Sequence, residues 1–449
     1  MKRIMKWSMI ALVATATNHQ VGMAAPFVSN QADAKGFVEG SKLDLLLRNY
    51  YYNRNKTAGG VDDKDWAQGL QGTLKSGYTQ GTVGVGIDAF GYLGLKLDGQ
   101  DKYSGSGNLS VDSRGRNHES FGKAGAALKV RISKTELKVG DLQPNTSPVF
   151  AVGGSRLLPQ TASGFQLQSS EIDNLDVEAG HFYSSTSQDE TNRDGNLWAY
   201  YAHVDAKTVD YAGGRYAISE NLSASLYASK FEDIWKQYYA NLTYIVPLAD
   251  SQSITLGGNI YRTTDTGQAK AGDINNTAFS LSAAYAFLKA HTVTVAFQKI
   301  NGDTPFDYIG VGDNDRSGNS VLLANSIQYS DFNGPNEKSA QVRYDIKMAE
   351  YGVPGLSFMS RYVKGWDIDG TGLPGNSVYR KRNGSPLYGA DGKHHETNLE
   401  ARYIVQSGPA KDLSFRLRQA WHSANADQGE GDISEFRLIV DYPIPVSFL

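Results

Sequence analysis

Between Asp412 and Tyr442 two runs of the chain alternate in character: in the first, Phe415, Leu417 and Trp421 share one parity, and Arg416, Arg418 and His422 the other. Period two predicts a strand whose successive side chains point to opposite faces. Phe436, Leu438, Val440 and Tyr442 then alternate with Glu435, Arg437, Ile439 and Asp441, and the polar stretch between the halves holds Gly429 and Gly431. The two runs read as a hairpin with one apolar and one charged face. Nearer the start, Leu43, Leu45, Leu47 and Tyr51 alternate with Asp44, Arg48, Tyr50 and Tyr52, and the second parity continues to Arg54. The same rule predicts strands over Ala340 to Met348, Leu356 to Tyr362 and Asn398 to Val405, with Arg343, Lys347, Arg361, Glu400 and Arg402 on the polar side. Phe279 to Phe287 and Val293 to Phe297 place mostly Ser, Thr, Ala and Gln there instead.

Short turn signals punctuate these runs at Ser76-Gly77, Ser133-Lys134, Ser169 to Asn174, Ser219 to Asn221, Leu248 to Gln252, Leu288 to His291, Glu350 to Gly355 and Ser407 to Asp412. Eight short turns between strand pairs predict nine hairpins, or 18 strands. Roughly 24 residues per strand and connection suffice for a tilted span of ~9–11 residues and an average loop. The other connections are longer and polar: Gly99 to Ser120, Gln143 to Gly164, Ser184 to Asn196, Thr263 to Thr277, Asn301 to Asn319, Lys364 to His395 and Ser423 to Ser434. Two of them carry apolar residues and proline, through Pro148, Val149, Phe150, Leu157, Leu158 and Pro159 in one and TPFDYIG (Thr304 to Gly310) in the other. Such content predicts loops folded into a barrel mouth, with a lid over the rim as the alternative.

Alternation alone also fits a soluble sandwich with its apolar face inward. Composition shifts the reading. Residues 1–24 combine Lys2, Arg3 and Lys6 with a short apolar run from Trp7 to Ala16 and the small-residue site Gly22-Met23-Ala24, the pattern of a secretory leader. The remaining 425 residues, 25–449, form one domain, in which 41 Lys and Arg face 47 Asp and Glu. No stretch approaches the ~18 apolar residues of a spanning helix, and the mean hydropathy is −0.42. A helical membrane protein is excluded, whereas a barrel needs apolar residues only at alternate strand positions. The absence of cysteine argues against disulfides and thiolate metal sites. The expectation is an all-β, 18-stranded antiparallel transmembrane β-barrel with inward-folded loops, apolar outward and polar inward.

Arginine facing lipid at the midplane would cost roughly 2–4 kcal/mol, so the charged parity must line the lumen. Strands near the C-terminus meet the first strand on closure, which gathers Arg48, Arg54, Arg402, Arg416, Arg418 and Arg437 on one wall. An arginine row offers successive planar, permanently charged forks to a carboxylate. The competing reading pins each arginine to an inward acid, Asp44, Glu400, Glu435 or Asp441, merely to fill the lumen. A metal site at His394-His395 and Glu396 is disfavoured, because adjacent strand residues point to opposite faces; no metal and no cofactor are expected.

Long segments carry a family resemblance: AKGFVEGSKLDLLLRNYYYNRN, TQGTVGVGIDAFGYLGLKLDG, VGGSRLLPQTASGFQLQSSE, GDTPFDYIG, LANSIQYSDFNGP and the stretch from Asp391 to Asp432. Together they resemble the OprD family of substrate-specific outer-membrane porins across essentially the whole mature chain. The resemblance implies a barrel narrowed by the segments Gly153 to Gln166 and Thr304 to Ser320, with Asp307 and Tyr308 as pore contacts. It also implies a ladder of basic residues at Arg54, Arg131, Arg402, Arg416, Arg418 and Arg437. Its implied cargo is small carboxylates, above all basic amino acids, small peptides and carbapenems, with aromatic or dicarboxylic acids as the alternative. Implied partners are these solutes and outer-membrane lipid, with a weak homotrimer and no nucleic acid. Asn314-Asp315-Arg316 makes the second loop more charged than the family pattern.

One enzymatic alternative rests on His181, Asp233 and Ser320, a hydrolase-type set whose positions correspond to a proposal made for the family. Parity disfavours it, since His181 shares its face with Val177 and Ala179, and no G-x-S-x-G elbow surrounds Ser320. The chain is expected not to be an enzyme.

Overall fold

Two-faced strands can bury every backbone N–H and C=O in a bilayer only by closing on themselves. A computed structural model shows that closure and describes residues 25–57, 59–248, 251–380 and 385–446; the leader lies outside the described residues. In chain order the strands begin with β1 (Lys42–Lys56), β2 (Asp63–Lys75), β3 (Val83–Asp98), β4 (Ser120–Ile132), β5 (Thr135–Leu142) and β6 (Thr161–Ser169). There follow β7 (Leu175–Thr186), the short β8 (Leu197–Ala199) and β9 (Val204–Ala206), then β10 (Val209–Ala217), β11 (Leu222–Phe231) and β12 (Trp235–Pro247). Next come β13 (Ser253–Asp265), β14 (Asn275–Phe287), β15 (His291–Asn301) and the short β16 (Ile309–Val311) and β17 (Arg316–Ser317). The last are β18 (Lys338–Lys347), β19 (Leu356–Ile368), β20 (Gly392–Ile404), β21 (Ser414–Ala424) and β22 (Ile433–Pro445).

Eighteen of these form one antiparallel sheet, each paired with its neighbours along the chain, and β1 pairs with β22 to close it. Leu47 sits opposite Tyr442 and Arg48 opposite Asp441 at that seam. Leu70, Val130, Leu226, Leu281 and Leu417 stand on the outer surface, while Tyr50, Tyr52, Phe182 and Tyr261 are buried inside. All eight predicted turns fall between barrel strands. Two connections on the opposite side, 57–62 and 232–234, are too short to show as polar stretches.

The inward-folding loops fill the barrel. Val149, Phe150, Leu157, Leu158 and Phe306 are buried, and β8, β9, β16 and β17 form a separate small sheet from two of the connections. The rim-lid alternative therefore gives way to packing inside. Gly69 on β2 seats the first loop: a Cβ there would stand 3.2 Å from the Leu157 side chain and carbonyl oxygen, so only glycine lets the loop approach the wall this closely. The first loop ends earlier than its polarity predicts, because β6 already begins at Thr161. The loop expected over Asn301 to Asn319 continues instead to the start of β18, placing the LANSIQYSDFNGP segment inside the barrel as well.

Candidate functional site

The seam of the barrel carries the charged wall. Pairing sets Arg402 on β20 opposite Arg416 on β21, Arg418 opposite Arg437 on β22, Arg437 opposite Tyr52 on β1, and Arg54 opposite Glu435. Four neighbouring strands thus bring six of the sequence-predicted arginines together. Glu435 is fully buried and accepts from Arg54 Nε (2.7 Å), Arg437 Nε (2.5 Å), the Tyr52 hydroxyl (2.6 Å) and Gln328 Nε2 (3.0 Å). The Tyr52 ring lies among three guanidinium groups, those of Arg54 at 5.5 Å, Arg156 at 5.3 Å and Arg437 at 5.4 Å, within cation–π range.

Further along the wall, Glu400 serves Arg416 Nη2 at 2.8 Å and Arg418 Nε at 3.2 Å. Arg48 holds Asp441 with two nitrogens (2.8 and 3.1 Å) and spends its third on the carbonyls of Gly154 and Arg156 (2.9 and 2.7 Å). It clamps the first inward loop to the wall. The acids do pin part of the row, as the lumen-filling reading expects, although Asp44 pairs with Lys42 instead. Even so, among the described residues Arg402 and Arg416 each keep a buried Nε without a hydrogen-bond partner, and Arg418 Nε meets Glu400 only as an ion pair. Arg131 stands apart from the ladder implied for it. It lies on β4, three strands round from β1, with its guanidinium 3.8 Å from the Tyr78 ring centroid and bonded to Gln31 and Ser29 of the N-terminal segment.

Loops supply an acidic and aromatic counterpart. Asp331 Oδ2 accepts from the hydroxyls of Tyr201 and Tyr308, both at 3.0 Å, and its Oδ1 from Ser326 Oγ at 2.5 Å. Tyr200 packs on both tyrosines, with ring centroids 5.1 and 5.3 Å away. Burial first, then the charge of Asp331, pushes the Tyr200 phenol up to about 12, while Arg54 draws it the other way. Tyr200 therefore feels the acid and the arginine wall at once. Tyr308, expected as a pore contact, belongs to this group and is buried within it.

Asp307 does not face the pore as predicted. It is buried and accepts from the backbone N–H groups of Tyr201 (2.9 Å), Ala202 (3.1 Å) and Tyr308 (2.8 Å) and from the Tyr379 hydroxyl (3.2 Å). Burial is the largest influence on its carboxyl and carries it up to about 7 against the pull of those donors. It braces the loops that present Tyr201 and Tyr308. Sequence reasoning missed Arg156, Tyr200, Tyr201 and Asp331, all of them in connections where no period assigns a face.

The hydrolase set is not assembled. His181 alternates with the buried Phe182 and stacks on outward-facing Phe165, bonding Asp210 at 2.7 Å on the outer surface. Asp233 sits in the 232–234 connection and accepts from the Gln268 backbone, while Ser320 is buried within the lumen. Barrel-wall and loop positions on different faces cannot meet over one bond.

Comparison with known proteins agrees with this architecture. The family model for outer membrane porins of the OprD family matches residues 35–446. Porin D of Pseudomonas aeruginosa is 61% identical over 446 residues, covering 99% of this chain and 100% of that one. The crystal structure of Pseudomonas aeruginosa OprD superposes with a TM-score of 0.82 at 58% identity, covering 94% of this chain and 100% of that one. That of OpdK from the same organism, solved with vanillate, gives 0.80 at 32% identity over 91% of this chain and 100% of its own. The chain belongs to the OprD family, and it is an outer-membrane porin, a channel rather than an enzyme.

Proposed function

We propose that this porin passes small carboxylate-bearing solutes by passive, selective diffusion, with arginine, lysine, small peptides and carbapenems preferred. The observation that carries this reading is the run of arginines from Arg54 to Arg402 on adjacent strands, two of them, Arg402 and Arg416, with a buried Nε that no group among the described residues satisfies. A carboxylate can pass from one fork to the next without meeting a deep well. Asp331 gives the cationic end of a basic amino acid an acid to face. A solute carrying both charges addresses both groups.

A second reading favours aromatic carboxylates, because a relative of the same fold was crystallised with vanillate. Such solutes use the arginines alone. Liposomes carrying the purified chain, offered arginine, lysine, vanillate, a dicarboxylate, a carbapenem and a neutral sugar, separate the two. Arginine and lysine should enter fastest. Faster vanillate would favour the second reading, and a sugar that keeps pace with every acid would defeat both.

A further inference from the structure

At the long-loop end of the same barrel, two histidines that the sequence does not bring together converge. His394 on β20 and His422 on β21 both point inward and are almost completely buried, at 3% and 2% exposure. His395, its sequence neighbour, lies tilted against Tyr362 on the outer face, so the adjacent pair that parity disfavours does not form and a cross-strand pair stands in its place. His394 Nδ1 lies 2.8 Å from His422 Nε2. Glu430, in the connection between β21 and β22, sets its Oε2 3.3 Å from His422 Nε2 and 3.7 Å from His394 Nδ1. That oxygen is buried and accepts no hydrogen bond from the described residues.

The far side of each ring fixes where its hydrogen sits. His422 Nδ1 faces the Gly431 carbonyl at 2.8 Å, which only accepts, so that nitrogen carries the hydrogen. With Glu337 ionised, His394 Nε2 donates to its carboxylate at 2.7 Å. Two neutral rings then turn their remaining lone pairs toward each other, with a carboxylate oxygen as third member. Three lone pairs converging in a buried space are satisfied by a shared proton or by a metal ion. A distal N–H donated to a carboxylate or a carbonyl is also what orients histidine for metal binding. Bonds of about 2.0–2.2 Å to nitrogen and oxygen in a tetrahedron give ligand separations of about 3.3 Å. The three here are 2.8, 3.3 and 3.7 Å, one face of such a tetrahedron.

We propose that His394, His422 and Glu430 form a binding site for a divalent transition ion of the zinc or nickel class, its fourth position left to water or solute. Imidazole ligands suit these ions and disfavour magnesium or calcium. Glu337 is a positioning residue acting through His394. Tyr329 ties the site to the arginine wall: its hydroxyl donates to the Glu430 carbonyl at 3.2 Å, and the Arg54 guanidinium stands 4.9 Å from its ring centroid.

The test uses the full mature chain, purified without a polyhistidine tag and refolded in detergent, titrated with Zn²⁺ against a chromogenic chelator and with Co²⁺ by visible absorption. One saturable equivalent per chain is expected, unaffected by excess Mg²⁺, with the intense Co²⁺ bands of a tetrahedral nitrogen and oxygen site. His422→Gln should abolish the bands, and Glu430→Gln and Glu337→Gln should each weaken Zn²⁺ on the order of 10–100-fold. His395→Gln should change nothing. Should His422→Gln fail to form a barrel, Glu430→Gln decides the question, since its side chain is the least buried of the three. Absence of saturable binding, or affinity unchanged in a folded Glu430→Gln barrel, overturns the site and leaves the histidines sharing only a proton.

Discussion

Arg402 and Arg416 face each other directly across two paired strands, like charge against like charge. Arg418 and Arg437 repeat the arrangement on the next pair. Like charges directly opposite oppose pairing by roughly 0.2–1 kcal/mol each, so stability alone would not keep them. Replacing both Arg416 and Arg418 by glutamine relieves that repulsion but removes both ion-pair partners of Glu400, so barrel stability in urea should stay level or fall slightly. Flux of carboxylated solutes should fall about tenfold, the effect of losing about 1.4 kcal/mol of attraction, while flux of a neutral sugar changes little. Equal loss of sugar and acid flux would mean that the arginines only shape the lumen.

Glu435 performs the opposite service, neutralising Arg54 and Arg437 from a position with no solvent exposure. Glu435→Gln retains the shape and removes the charge, leaving the buried Arg437 guanidinium without its acid and Arg54 with Asp63 at 3.7 Å. Breaking a buried pair from one side costs about 3–5 kcal/mol. Unfolding in lipid should show a loss of that order, and the folded fraction should become more anion-selective in planar bilayers. A change under 1 kcal/mol would place more water around Glu435 than its burial allows.

Ser320 bears on the enzymatic alternative. Its hydroxyl is buried with no partner, and an unsatisfied buried hydroxyl carries a penalty of about 1–3 kcal/mol. Ser320→Ala should therefore hold or raise stability and leave single-channel conductance and any peptide cleavage by the preparation unchanged. Cleavage that disappears with the hydroxyl would reopen the hydrolase reading.

The wall was legible in the sequence because strands have a period. Once Leu417 and Trp421 face lipid, Arg416 and Arg418 have only the lumen left, and the closure of the last strand on the first brings Arg54 beside them. Loops have no such rule. Asp307 and Asp331 both sit among aromatic residues in one long connection, and nothing local distinguishes the acid that braces the backbone from the one that holds the tyrosine hydroxyls. The same limit applies to His394. Its parity was readable, but its partner, fixed by the pairing of β20 with β21 and by the 425–432 connection, was not.

These two aspartates give the sharpest contrast. At Asp307 three backbone N–H groups and one hydroxyl aim at the carboxylate, all of them donors. An amide there must turn its own NH₂ toward at least one of them, at a cost of about 1–3 kcal/mol for the unmade bond. Asp307→Asn should loosen the two loops that carry Tyr201 and Tyr308, seen as faster proteolysis within 187–208 and 302–337 and noisier single-channel current. Half-block by added arginine should remain where it was in the quiet state. Asp331 bonds only hydroxyls, which can reorient to suit an amide. Asp331→Asn should therefore leave the loop intact and weaken arginine block about tenfold, the loss of one charge-assisted contact of about 1.5 kcal/mol. If instead Asp307→Asn weakens the block and Asp331→Asn does not, the cation-facing acid is the buried one, and the loops must open further in lipid than their hydrogen bonds permit.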